Sequence, residues 1–368
     1  MELLPDTKKL INDGRLQYGV MKFSIVILPE YPTSAIIDYI KTADELGFYA
    51  FWSVDEVYHK DAWSIFAAAA DKTKKILLGP AVTHVYLREP TLIAQQLATL
   101  DELSNGRAIA AISFGNLIML QQYYVKWQGC RPLARTKEAF HVIRTLLDEG
   151  KITYDGQFFK YIGLFTAARP VRRIPLYMGA MGGPRSFRVA GEISDGMMCA
   201  LGYSREFWRD AVSNMRLGAQ KAGRNPDEVD VVAWVVFSVS KNREAAKQVA
   251  KSIVGFYIPS MPERQLRMHG IKPEDVKEIN ESFLKGDVER GIRLTSMDLV
   301  DKLSVSGSPE EIVEQLKRDF VSEGVKHIAA CIIDPFIVRF FTGKTVENVP
   351  DFKGQLKLIK DEIIPYFE

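Results

Sequence analysis

The sequence predicts an α/β fold, a (β/α)8 TIM barrel with a helical insertion before its last strand. Short apolar runs alternate with longer amphipathic segments along the chain, a pattern typical of parallel strands joined by helical crossovers. Eight such runs are strand candidates, and this number favours a closed barrel over an open sheet. The chain has 368 residues, 47% of them hydrophobic, which is enough for one barrel and its core.

The first four strand and helix units follow one another directly. The first helix illustrates the pattern, because Ile36, Ile37 and Ile40 recur at helical spacing and Gly47 ends it. The predicted strands are 22–28, 48–55, 76–82 and 107–114. The predicted helices are 33–46, 61–71, 91–103 and 133–147.

The second half of the pattern resumes after a predicted hairpin, ITYDGQFFKY, whose Asp155–Gly156 pair matches a two-residue turn. Residues 256–302 contain two helical segments and no strand candidate, so we interpret them as the insertion. Residues 1–20 are interpreted as an N-terminal extension, and 21–368 as a single domain. The remaining predicted strands are 174–179, 195–201, 230–240 and 325–333. The remaining predicted helices are 184–193, 205–222, 243–254, 309–322 and 352–364, the last one packed outside the barrel.

The composition restricts the partners. Basic and acidic residues nearly balance, 48 against 46, which argues against nucleic acid or a membrane surface and favours a small-molecule substrate. Cys130, Cys199 and Cys331 are too widely spaced for a disulfide framework or a C-x-x-C metal site, so a cytoplasmic location is expected. No cluster with metal-ligand spacing, P-loop or G-x-S-x-G motif occurs, and no metal site is predicted.

The carboxyl ends of barrel strands are where functional residues are expected. Asp55 and Glu56 end the second strand, where such carboxylates either hold a ligand hydroxyl or cap a helix. His84 ends the third strand and either binds a ligand, acts as an acid, or is satisfied by neighbouring backbone. Gly115 and Asn116 end the fourth strand.

A glycine-rich turn, MGAMGGPRSF at 178–187, follows the fifth predicted strand and opens a helix. Backbone N–H groups of such a turn point at an anion beside the positive helix end, although similar turns occur without a ligand. The third strand carries a second irregularity. Gly79 and Pro80 are residues that central strands avoid, yet Ala81 and Val82 resume the apolar run.

Taken together, these segments resemble the bacterial luciferase-like superfamily, and within it the coenzyme F420-dependent methylenetetrahydromethanopterin reductases. The resemblance extends along nearly the whole chain from Met21. It is carried by KFSIVILPE, ADELGFYAFWSVDE, LGPAVTHVYLREP, LDELSNGRAIAAISFG, ITYDGQFFKYIG, IPLYMGAMGGP, GEISDGMM, MHGIKPEDV, LVDKLSVSGSPEEI and EIIPYF.

The resemblance implies that a deazaflavin, coenzyme F420, lies across the strand ends. It also implies a bulge with a non-prolyl cis peptide at Ala81–Val82 against the central ring, with Asp55 at the polar edge of the ring and Thr83 and His84 beyond the bulge. The implied cofactor-binding residues are Asp55, Ala81, Val82, Thr83, Gly115, Asn116, Gly179, Ala180, Met181, Gly182 and Gly183, of which the last five hold the coenzyme phosphate by backbone amides.

The resemblance further implies an oxidoreductase that transfers hydride between the deazaflavin C5 and an organic substrate. A methylene-tetrahydropterin or related one-carbon carrier is the leading substrate, and an alcohol or small carbonyl compound is the second. Val26 stands where the reductases carry an acid, and Met181 where they carry a glutamine, so the catalytic proton transfer is assigned to His84 or Glu56. An FMN-dependent monooxygenase and a non-catalytic barrel relative are the alternatives. A homodimer formed through helices near the second and third strands is expected.

Overall fold

The structure is a computed structural model that describes residues 20–115, 117–126 and 130–368. Asn116 and nearly all of the predicted N-terminal extension, residues 1–19, lie outside the described residues. The homodimer stays a prediction for this single chain.

Eight parallel strands close into a barrel, as the sequence predicts. The strands are β1 Lys22–Ile27, β2 Ala50–Ser53, β3 Leu77–His84, β4 Ala110–Ser113, β7 Leu176–Ala180, β8 Gly196–Ala200, β9 Asp230–Val239 and β11 His327–Ile332. Each strand pairs with the next in this order, and β11 pairs back with β1, where Val26 lies opposite Cys331. All eight predicted strands are confirmed.

Helices surround the barrel and connect its strands. They are α1 Thr33–Glu45, α2 Ala62–Ala70, α3 Pro90–Leu103, α4 Leu117–Gln122, α5 Pro132–Glu149, α6 Pro184–Ile193, α7 Arg205–Lys221, α8 Arg243–Tyr257, α9 Glu263–Met268, α10 Lys277–Leu284, α11 Val288–Leu294, α12 Met297–Leu303, α13 Pro309–Gln315, α14 Pro335–Thr342 and α15 Phe352–Leu358. Helical structure continues past α13 to residue 323 and past α15 to residue 366, so the last two predicted helices are confirmed.

The third strand is irregular where its sequence is. The Ala81–Val82 peptide is cis, and the register of β3 against β4 shifts between Ala81 and Thr83, which is the predicted bulge. Gly79 is explained by packing, because a β-carbon there would overlap the carbonyl oxygen of Ile109. β3 therefore continues through its two apparent strand breakers.

The hairpin before β7 is present, but its predicted two-residue turn is wrong. Strand β5, Lys151–Asp155, pairs with β6, Lys160–Phe165, so residues 156–159 form the connection. The carboxylate of Glu138 on α5 accepts the backbone N–H groups of residues 157, 158 and 159 at 3.0, 2.8 and 3.3 Å. This distant side chain stabilises a longer loop, which the local Asp-Gly pattern could not indicate.

The insertion is more divided than predicted. Instead of two helical segments, the four short helices α9, α10, α11 and α12 occupy it. Gly270 and Gly286, both with positive φ, separate successive helices. A three-residue strand, β10 Val305–Gly307, follows and pairs with the end of β9, beyond the point where β8 ends. So short a strand has no recognisable sequence pattern.

The amino end of the barrel is closed by buried polar residues. Asp230 at the start of β9 accepts hydrogen bonds from Lys22 Nζ at 3.0 Å and from Tyr177 Oη at 2.9 Å, and lies 2.9 Å from His327 Nδ1. The other ring nitrogen of His327 lies 2.6 Å from Ser24 Oγ. These contacts join four strands at the end of the barrel opposite to the expected site.

Candidate functional site

Asp55, just beyond β2, is occupied by protein donors. Arg88, in the turn after β3, donates to both of its oxygens at 2.8 Å, and Trp63 Nε1 donates at 3.1 Å. Arg88 also contacts Asp61 at 3.2 Å. Asp55 therefore ties the loops after β2 and β3 together, and its predicted contact with a coenzyme ring stays a prediction.

His84, the last residue of β3, lies buried against the backbone of Gly115. Gly115 has φ +94°, and a β-carbon there would be 2.5 Å from His84 Nδ1, so only glycine suits the position. Neither ring nitrogen has a hydrogen-bond partner among the described residues. Burial lowers the pKa of His84 to about 4, and the charge of Asp55 opposes this without offsetting it. His84 is therefore neutral at neutral pH.

The carboxylate of Glu56 faces the imidazole of His84. Its Oε1 lies 3.8 Å from His84 Nε2, and its side chain is 25% exposed. Burial raises the pKa of Glu56, the neighbouring His59 opposes the shift, and Asp55 adds to it. A carboxyl group with a raised pKa and access to solvent is suited to act as a general acid.

Two further residues of this cluster, Glu30 and His59, were not predicted as catalytic. His59 Nδ1 forms a short hydrogen bond with Glu30 Oε1, and His59 Nε2 lies 3.9 Å from Glu56 Oε2. Glu30 lies just after the first strand, at the end of the barrel where functional residues are expected, so its position in the sequence could have identified it. His59 lies within a loop, and only its spacing of three residues from Glu56 indicated the contact.

The bulge of β3 faces the glycine-rich turn across the end of the barrel. A β-carbon at Gly179 would be 2.6 Å from Val82 Cγ1 and 3.1 Å from Ser113 Cβ. Ser113 Oγ also donates to the Gly179 carbonyl at 3.1 Å. Thr83, next in the bulge, is buried, and its hydroxyl has no partner among the described residues. Three predicted site segments thus meet at one end of the barrel.

The turn after β7 leads into α6 without a side-chain cap. Gly183 is the N-cap residue, Pro184 begins the helix, and the described side chains provide no capping hydrogen bond. Gly182 has φ +68° and Met181 is partly exposed, while Ala180 is the buried last residue of β7. The first N–H groups of α6 therefore have no side-chain cap among the described residues at the predicted phosphate site.

Helix α9 of the insertion fastens the end of β8. Leu201 has φ +60°, unusual for a residue with a side chain. Its carbonyl accepts from Gln265 Nε2 at 2.8 Å and contacts His269 Nε2 at 3.0 Å, while His269 Nδ1 lies 2.8 Å from Ser204 Oγ. Arg264 Nη1 reaches the Gly182 carbonyl at 3.3 Å. The insertion thus frames the glycine-rich turn, a relationship that no local motif indicated.

Within the described residues, two kinds of structural feature are absent. Residues 20–115, 117–126 and 130–368 contain no group of three or more His, Cys, Asp or Glu side chains arranged to hold a metal ion. No helix in these ranges has the length and apolar character needed to cross a membrane.

Comparison with known proteins identifies relatives that match most of the chain. The family model for luciferase-like monooxygenase matches residues 21–327. A 5,10-methylenetetrahydromethanopterin reductase of Archaeoglobus fulgidus is 31% identical over 349 residues, which cover 94% of this chain and 99% of the relative. The enzyme of the same name from Methanolobus tindarius is 34% identical over 347 residues, covering 94% and 100%.

A solved structure has the same architecture. It is the coenzyme F420-dependent tetrahydromethanopterin reductase of Methanopyrus kandleri, with a TM-score of 0.85 and 29% sequence identity. The match covers 95% of this chain and 100% of the other. The agreement therefore includes the insertion as well as the barrel.

Proposed function

Because this chain belongs to the luciferase-like monooxygenase family and is an oxidoreductase, we propose that it uses coenzyme F420 to transfer hydride to or from an organic substrate. The observation that carries the proposal is the end-to-end match to the reductases, in sequence and in fold. A pterin-bound one-carbon group, as in 5,10-methylenetetrahydromethanopterin, is the proposed substrate, because the names of these relatives state it.

The strand ends fit such a coenzyme at two places. At the ring end, the bulge at Val82 and the unpartnered Thr83 hydroxyl offer an apolar surface and a hydrogen-bonding group. At the phosphate end, Gly182, Gly183 and the uncapped start of α6 offer backbone N–H groups. When bound, the coenzyme supplies hydride chemistry without activating oxygen.

Residues of this chain would hold the coenzyme at these two ends. We assign Ala81, Val82 and Thr83 to the ring. We also assign Gly115 to the ring, because it contacts His84 at the end of β3. We assign the coenzyme phosphate to the glycine-rich turn, which consists of Gly179, Ala180, Met181, Gly182 and Gly183.

Proton transfer is assigned to Glu56 rather than to His84. His84 is neutral because of its lowered pKa, and a neutral imidazole is a very weak acid. Glu56 has a raised pKa and partial exposure, so it retains a proton closer to neutral pH and reaches solvent or a ligand. Val26, fully buried in β1, has a hydrocarbon side chain and offers no proton.

Binding and turnover of the coenzyme test this proposal. Purified protein is titrated with F420 and with FMN, and binding is followed by the cofactor absorbance, near about 420 nm for deazaflavin and about 450 nm for flavin. We expect tight F420 binding and reduction of methylenetetrahydromethanopterin by reduced F420. Preferential FMN binding with oxygen consumption would instead establish the monooxygenase, and tight F420 binding without turnover of any substrate would establish a non-catalytic relative.

A further inference from the structure

Four side chains alternate between carboxylate and imidazole across the loops that follow β1 and β2 and the end of β3. In order they are Glu30, His59, Glu56 and His84, joined by one short hydrogen bond and by separations of 3.9 and 3.8 Å. The two oxygens of Glu56 face different imidazoles: Oε2 faces His59 and Oε1 faces His84. A carboxyl group so placed can receive a proton on one oxygen and release a proton from the other.

We propose that His59, positioned by Glu30, returns a proton to Glu56 after each turnover, so that this pair connects the site with solvent. The inference rests on the proposed function, which makes Glu56 the acid. His59 and Glu30 are positioning residues that act through Glu56, and they extend the site beyond the strand ends.

The hydrogen bond to Glu30 sets the direction of transfer. Glu30 accepts the Nδ1–H of His59, which leaves Nε2 as the nitrogen that faces Glu56. Protonated His59 therefore carries its second proton towards Oε2. A small side-chain rotation closes the 3.9 Å gap to hydrogen-bonding distance.

The protons balance in each cycle. Glu56 gives its proton to the substrate when hydride is added and becomes a carboxylate. It then takes the Nε2 proton of protonated His59, and neutral His59 is reprotonated by an acid from solvent. The proton released when the reduced coenzyme is oxidised returns to solvent, so solvent loses and gains one proton in each cycle. Glu30 keeps its hydrogen bond to Nδ1 throughout, and no further oxidant or reductant is needed.

The location of His59 explains why a relay is useful. The residues on either side of it, Tyr58 and Lys60, are exposed, so the loop lies at the protein surface. The side chain of His59 itself is 13% exposed and that of Glu56 is 25% exposed, so the relay is useful where a ligand over the strand ends covers Glu56 and leaves the loop of His59 in contact with water. A second proton route through His59 stays available while the site is occupied.

Charged side chains outside the relay contact or influence both of its ends. Lys60 Nζ donates to the Glu30 carbonyl oxygen at 3.2 Å, placing a cation beside the Glu30 end. At the other end Asp55 influences Glu56, but Arg88 neutralises Asp55 through its two hydrogen bonds. The proton path therefore lies between these two cations.

Substitution of His59 separates proton resupply from hydride transfer. With F420 and methylenetetrahydromethanopterin, we expect His59→Ala to lower steady-state turnover by about tenfold or more. The first-turnover burst, measured by deazaflavin absorbance, stays at the wild-type rate because the first turnover does not depend on proton resupply through His59. Added imidazole restores turnover. His141→Ala, which changes a histidine packed against Tyr154 outside the barrel with the two rings tilted by 49°, is the matched control. Unchanged turnover, or a loss that imidazole does not relieve, would overturn the proposal.

Glu30→Gln provides a second variant of nearly equal volume in case His59→Ala does not fold. We expect a smaller loss of turnover that imidazole also relieves, and undiminished turnover would count against the relay. Coenzyme-free protein gives an independent readout, in which side-chain 15N NMR follows the ring nitrogens of His59, whose Nε2 lies 3.9 Å from Glu56 Oε2. Glu56→Gln should change the His59 Nε2 resonance and leave that of His141 unchanged, and an unchanged His59 resonance would refute the contact. If the wild-type protein turns over no F420, the proposed function fails, and the NMR result alone decides on the Glu56–His59 pair.

Discussion

The imidazole of His84 lies against the backbone of Gly115, so closely that a β-carbon at Gly115 would be 2.5 Å from Nδ1. The glycine at the end of β4 thus determines where the histidine at the end of β3 lies. Their contact joins two neighbouring strands at the candidate site.

Gly115→Ala should therefore destabilise the protein and displace His84. An alanine at this position would have a side chain on a left-handed backbone, and its β-carbon would displace the buried His84 ring. The two effects together should lower the free energy of unfolding by about 2 to 4 kcal/mol. Gly47→Ala is the control, because Gly47 has φ +83° but its β-carbon would meet nothing within 4 Å. Denaturant unfolding should show only about 1 to 2 kcal/mol for this control. Equal losses for both variants would contradict the assigned contact.

Arg88→Met should leave the carboxylate of Asp55 buried without its cation. We expect a loss of about 3 to 5 kcal/mol in the free energy of unfolding, because breaking a buried ion pair leaves an uncompensated charge. Arg216→Met, which breaks the exposed pair with Asp227, should cost less than about 1 kcal/mol. Thermal and denaturant unfolding of both variants measure the difference, and a small loss for Arg88→Met would show that Asp55 is satisfied without it.

Turnover should fall as pH rises through the raised pKa of Glu56, because the acid must be protonated. Glu56→Gln should remove this pH dependence and lower the rate by about 10² to 10⁴-fold. The free energy of unfolding should change with pH in the same direction as turnover. A raised pKa means that the folded state binds the proton more tightly, so wild-type stability declines over the same rise in pH, and Glu56→Gln should lessen the decline. A retained alkaline limb in the variant would assign the pH dependence to another group.

Asp230→Asn should affect stability but not the chemistry. Burial alone would raise the pKa of Asp230, but the charges of His327 and Lys22 outweigh it and hold the pKa well below its usual range. The stabilisation is therefore present above the unfolded pKa and is lost as pH falls through the folded pKa. We expect a loss of about 3 to 5 kcal/mol at neutral pH and a weaker dependence on acid pH. Activity per folded molecule should be unchanged, since Asp230 lies at the opposite end of the barrel from the candidate site.

The barrel was predictable because its strands are apolar runs and its helices have regular spacing, both of which are local patterns. The bulge was predictable through family resemblance, and Gly79 next to it is explained only by the close Ile109 carbonyl. The Glu138 contacts that shape residues 156–159 escaped prediction because the partners lie 19 to 21 residues apart.

In the candidate site, too, residues at strand ends were predictable and contacts between loops were not. Glu56 and His84 were predicted from their places at strand ends. His59 was missed because its contacts with Glu30 and Glu56 depend on how two loops fold over the barrel, and loop geometry has no periodic sequence pattern. The pairing of Asp55 with Arg88 was missed for a similar reason, since the two residues lie 33 positions apart in different loops.

The attachment of α9 to Leu201 has a consequence for cooperativity. Gln265 and Leu201 are 64 residues apart in sequence, yet their hydrogen bond and that of His269 hold the insertion to the end of β8. Release of α9 would leave the Leu201 carbonyl without two partners and would disturb the strand itself. The insertion and the barrel should therefore lose amide-exchange protection together, as one folding unit.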